Sequence, residues 1–126
     1  MGKNSPTLEE TAAFLEAAQR SSPRDHALAC LLALNGLSMH SVCSAEVSSL
    51  GAAGDRRTLS VSLTGGSKTA IPLAPRTADA IDEQLDGRVD GPLLLADDGR
   101  PLAGHDAARI VRRIVHDAGL EYRLGW

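Results

Sequence analysis

Aromatic residues are nearly absent: one tryptophan, one tyrosine and one phenylalanine make up 2% of 126 residues. Stacking of bases on aromatic side chains is thereby excluded as a main source of affinity, and aliphatic side chains must fill the core. Cysteine is scarce as well. Cys30 and Cys43 are the only two thiols, and without a charged-then-apolar leader they read as reduced core side chains, not a disulfide scaffold. No apolar run approaches the ~20 residues that a membrane helix requires. Together these absences predict a soluble, cytoplasmic protein with no membrane role. An excess of positive charge is also missing. With 13 basic and 16 acidic side chains the formal net charge is −3 and the sequence pI is about 5.7. That excludes the whole-surface positive field of a strong nucleic-acid binder and leaves only a local basic face.

What is present fits one ordinary domain, 1–126, with residues 1–6 as a flexible arm. Hydrophobic residues make up 43% of the chain, enough for a single core. Thr7-Leu8-Glu9-Glu10 has capping-box spacing and predicts a first helix to about Arg20. The stretch SSPRD at 21–25 breaks it. Residues 26–34, HALACLLAL, are apolar on every side, the mark of a helix surrounded by protein. Gly36 stops that helix, and a new turn or short helix begins at Ser38.

From Arg57 the period changes to two, with Leu59, Val61 and Leu63 on one face and Thr58, Ser60 and Ser62 on the other. A turn at TGGS, 64–67, returns the chain through Ile71 and Leu73. Pro72 lacks an amide donor, which puts that second strand of the hairpin at an edge. A helix over 76–86 turns Ala78, Ile81 and Leu85 inward and Asp79, Asp82, Glu83 and Asp86 to solvent. A short buried piece at 93–96 ends in an Asp97-Asp98-Gly99 turn. The last helix, 106–118, buries Ala107, Ile110, Val111, Ile114, Val115 and Ala118 and carries Arg109, Arg112, Arg113 and His116 opposite.

Several motifs come close to a site and fail. GGSKT at 65–69 suggests a phosphate loop, but serines at 62 and 67 stand where that motif needs glycines, and a strand follows where a helix is required. Gly36-Leu37-Ser38-Met39-His40 is half a nucleophile elbow, without its closing glycine and after a helix instead of a strand. His26 and Cys30, four apart on one helix, have no third and fourth metal ligand, so core packing accounts for them. Asp79, Asp82, Glu83 and Asp86 read as a solvated helix face. The Arg109, Arg112, Arg113 face has two readings of equal weight. It meets several phosphates from one rigid element, or it makes surface pairs with Asp106 and Asp117.

The phrases ALNGL, HSVCSAEV, AIPLAPRTA and ARIVRRI, in this order and with a hairpin between them, resemble the amino-terminal part of the tyrosine recombinase (phage integrase) catalytic domain. The resemblance spans nearly the whole chain. It implies an α+β fold, helices packed beside a small antiparallel hairpin-centred sheet, truncated before the family's later elements. In the family an arginine after the Gly-Leu pair clamps the scissile phosphate, and an acidic residue shortly after supports it. The matching positions here are Ser38 and Ser41. The family's hairpin lysine, which protonates the leaving oxygen, corresponds to Thr64, with Lys68 displaced along the turn. The His-x-x-Arg segment and the nucleophilic tyrosine belong beyond Leu120, and Tyr122 lies far upstream of the nucleophile's place.

A hydroxyl does not replace a guanidinium, and losing one such electrostatic donor costs ~100-fold or more in rate. The resemblance, with these departures, implies a chain that does not cleave DNA and has no catalytic residue, cofactor, metal or small-molecule substrate. Its expected partners are the DNA backbone, through Lys68, Arg109, Arg112 and Arg113, another copy of itself, or a full-length recombinase. Two alternatives stay open. One is a protein-interaction module using an apolar face left uncovered by the missing helices. The other is a decayed or shortened recombinase fragment.

Overall fold

The computed structural model describes residues 6–62 and 65–120. Most of the expected arm, Leu63, Thr64 and residues 121–126, Tyr122 among them, lie outside the described residues.

α1 (Leu8–Ser21) starts at the capping box: Glu10 N donates to Thr7 Oγ1 at 3.0 Å and Thr7 N donates to Glu10 Oε1 at 2.9 Å. The break after it is narrower than SSPRD suggests. Ser22 alone is non-helical, closing α1 and capping α2 (Pro23–Ala33) through the Asp25 amide at 3.0 Å. Pro23 opens α2, where its missing amide costs nothing, so Arg24 and Asp25 fall in the first turn of the new helix. Every residue from Asp25 to Leu32 is buried, as an all-round apolar helix demands. The chain's four other described α-helices all pack against α2. Phe14, the one phenylalanine, is buried in the same core cluster as Leu28, Leu31, Ile81 and Ile114, which is otherwise aliphatic.

After α2, Gly36 takes φ +65° and α3 (Met39–Ser44) follows. A 3-10 turn (Val47–Ser49) leads into β1 (Leu50–Ala53), β2 (Arg56–Ser62) and β3 (Lys68–Pro72), an antiparallel sheet of order β1-β2-β3. The sheet is therefore larger than the expected hairpin by one strand. Gly54 and Asp55 join β1 to β2, with Gly54 at φ +64° in the first of the two turn positions, where hairpin turns of the II′ kind place glycine. β3 is an edge, as Pro72 requires. Leu59 and Val61 point into the core. Thr58, expected on the open face, is buried as well, 8% exposed and paired with Gly51, whose missing side chain leaves its hydroxyl room.

α4 (Pro75–Leu85) is held from three sides. Asn35, just past α2, donates Nδ2 to Pro72 O at 2.9 Å and accepts the Ala74 amide at 3.3 Å. Arg57 on β2 grips both carboxylate oxygens of Asp82 at 2.8 and 3.0 Å. Arg76 reaches His26 on α2. α5 (Gly104–Asp117) begins two residues before the expected start and buries Ala107, Ile110, Val111, Ile114 and Val115.

The junction of α1, α2 and α5 is fixed by one carboxylate. Asp25, only 1% exposed, accepts from Ser21 Oγ at 2.6 Å, from Arg24 Nε at 2.8 Å and from Arg113 Nη2. Arg24 also donates to Leu95 O and Asp97, each at 3.0 Å. A buried charge is tolerable only when paired and hydrogen-bonded, and this one is both. Asp25→Ala is therefore expected to cost about 2–3 kcal/mol in urea unfolding, because two guanidinium groups lose their common partner. Arg109→Ala, on an exposed pair, should change stability by less than about 0.5 kcal/mol.

Candidate functional site

The positions singled out after the Gly-Leu pair sit at the start of α3. Ser38 is its N-cap, with φ −74° and ψ 157°, and its Oγ accepts the Ser41 amide at 3.1 Å. Ser38 Oγ also donates to Ser41 Oγ at 3.1 Å. The two hydroxyls thus satisfy each other and the helix end, the service for which serine is favoured at this position. Ser44 bonds back to His40 O at 2.8 Å.

Between α3, the 3-10 turn and β2–β3 lies a cleft of about 200 Å³, lined by His40, Ser41, Ser44, Glu46, Ser60 and Lys68 among others. Ser62 and Ser49 also face it. β2 and β3 pair Ser62 with Lys68, so the displaced lysine is brought to the same opening as Ser41. Ser38 is not among the cleft's described lining residues, and Thr64 lies outside the described residues. Residues 91–93 hold the cleft-lining segment 45–47: Val47 N donates to Gly91 O and Leu93 N to Ala45 O, each at 2.9 Å. Arg88 fastens that segment by donating to Pro92 O at 2.7 Å and Leu93 O at 3.0 Å.

The charge inside is sparse. Among the described residues the cleft holds one ammonium, one carboxylate and a histidine, with five serine hydroxyls and no arginine. A phosphate entering it meets hydrogen-bond donors and one cation, opposed by Glu46.

The α5 residues do not join this cleft. Arg113 turns to Asp25 and Ser21, and Arg109 to Asp106 at 3.1 Å. Arg112 is exposed on the same helix. The expected Arg109–Asp106 pair is present, whereas Arg113 takes Asp25 in place of Asp117 because a fully buried carboxylate binds more strongly than an exposed one. The other sequence candidates are accounted for locally. Cys30 is fully buried, which pushes its thiol up to about 11. The GGSK turn leads into β3, not a helix. The expected uncovered apolar face is not found among the described residues. Large exposed apolar side chains there are Leu8 at the start of α1, Leu34 just past α2 and Val89 in the loop after α4, because α5 and α4 already close the sides of α2.

Sequence reasoning missed Ser44, Glu46 and Ser49 as cleft residues. Ser60 and Ser62 were legible in the alternation of β2. The other three depend on the pairing of 45–47 with 91–93, which leaves no periodic signal.

No family model and no curated protein matches the chain. Among solved structures it is similar to XerA recombinase, with TM-score 0.83 and 19% identity over 98% of this chain and 46% of that one. It is also similar to lambda integrase residues 75–356 bound to DNA, with TM-score 0.75 and 18% identity over 97% of this chain and 45% of that one. For XerH recombinase bound to a difH substrate before cleavage, TM-score is 0.78 and identity 19% over 94% of this chain and 38% of that one. The chain has the α+β fold of a tyrosine recombinase catalytic domain and spans less than half of each of these solved chains.

The capping role of Ser38 has its own readout. Ser38→Ala is expected to lower stability by about 1 kcal/mol in urea unfolding. Ser41→Ala removes only the acceptor of Ser38's hydroxyl and should stay within about 0.5 kcal/mol.

Proposed function

We propose that this chain is a recombinase-like accessory protein of the cytosol that associates with DNA, or with a full-length recombinase on DNA, and transfers no strand by itself. The observation that carries this reading is the cleft. Lys68 is its only cation among the described residues, and Ser38 and Ser41 are committed to capping α3. Two of the structural neighbours are bound to a ligand in their solved structures, lambda integrase to DNA and XerH to a difH substrate. That supports DNA as the partner.

The association rests on few charges. Lys68 lines the cleft and Arg112 is exposed on α5, and these two supply the expected phosphate contacts. Each phosphate contact contributes roughly 0.9 to the slope of log affinity against log salt, so a shallow slope of about 2 is expected. The experiment is a gel shift on duplex DNA over a salt series. Binding at low salt that Lys68→Glu weakens severalfold, with thermal stability unchanged, supports the reading. Absence of any shift at the lowest salt, together with no co-purification of a full-length recombinase, would refute it.

A further inference from the structure

We propose that His26 and Arg76 form a proton-operated latch between α2 and α4, closed while the imidazole is neutral and opened when it takes a proton. Arg76 Nε donates to His26 Nε2 at 3.2 Å. Guanidinium has no acceptor and is always protonated, so Nε2 must present its lone pair and the ring proton sits on Nδ1. His26 is 6% exposed, and Nδ1 is buried without a hydrogen-bond partner among the described residues. The ring is therefore fixed in one tautomer by a single contact.

Protonation of Nε2 removes the only acceptor that Arg76 Nε has in this contact and sets two cations face to face. The surroundings weigh against it: burial and the Arg76 charge lower the tendency of His26 to protonate, with Glu83 opposing. From α1, Glu16 and Gln19 face the same groove, and Gln19 Oε1 accepts from Arg76 Nη2 at 3.4 Å. From α2, the Cys30 thiol lies one turn further along and feels the same Arg76 charge. From α4, Asp79 and Glu83 line the groove with Arg76 itself.

Those carboxylates give the device its second state. The groove is an open volume of about 550 Å³, wide enough for the guanidinium to leave the ring and pair with Glu16, Asp79 or Glu83. The movement releases the first turn of α4, which Pro75 and Ala74 join directly to β3 and Lys68. Acid therefore loosens the strand that carries the lysine of the cleft, a property independent of whether the cleft meets DNA.

The sign follows from the direction of the shift. The folded state disfavours the charged ring, so its contribution is complete above the ordinary histidine value of 6.5 and is lost as pH falls below it. The test is hydrogen exchange on the whole chain at about pH 7.5 and about pH 5, corrected for intrinsic rates. Amides of β3 and α4 should lose severalfold more protection on acidification than those of α1, and His26→Gln, which keeps an acceptor that does not titrate, should abolish the difference. Equal loss in both regions, or a difference that survives in His26→Gln, overturns the latch. Should that variant not fold, an NMR titration of His26 in the native chain decides: a ring titrating below 6.5 upholds it, and one titrating at or above that value ends it.

Discussion

One buried carboxylate organises this fold. Asp25 gathers Ser21, Arg24 and Arg113 at the point where α1 ends, α2 begins and α5 crosses. Through Arg24 it also fixes the Leu95–Asp97 loop. The helices would pack by hydrophobic burial in any case, since α2 from Ala27 to Ala33 is apolar all round, but burial is non-directional. The charge cluster supplies direction, because an unpaired carboxylate at that depth is far costlier than a misplaced methyl group. The consequence reaches the surface. An arginine recruited to hold Asp25 is withdrawn from the basic stripe that α5 displays in sequence.

The same economy explains the cleft. Its shape comes from main-chain pairing: β2 against β3 places Lys68, and residues 45–47 against 91–93 place Glu46. None of that pairing requires the side chains that strand transfer needs. Serine at 38 caps α3 well, so the local fold gains from the residue at this position. A fold of this kind does not by itself fix the chemistry carried in its cleft.

Much of the scaffold was legible in the sequence because it obeys short-range rules. The Thr7–Glu10 box, the all-apolar α2, the alternation of β2 and the apolar stripe of α5 each show a periodicity or a cap that local physics demands. β1 was not legible: Leu50-Gly51-Ala52-Ala53 is mostly exposed, so no burial period marks it. The Gly54-Asp55 turn between two extended runs was the available cue. The fate of Arg113 was hidden for a different reason, since its partner lies 88 residues away in sequence. The uncovered apolar face was expected from a missing segment, whereas the described helices already cover one another. Thr64 and Tyr122 lie outside the described residues, so the cleft's charge rests on those that are described.

The proposed absence of strand transfer is electrostatic in origin: hydroxyls and one displaced lysine would not stabilise a phosphoryl transition state. Its most direct measurement uses a nicked duplex whose cleaved end diffuses away, so that any attack by the protein leaves a trapped covalent adduct. Denaturing electrophoresis of the purified chain with this substrate should show free protein and intact strand at every time point. A protein–DNA adduct formed by the chain alone would contradict the account.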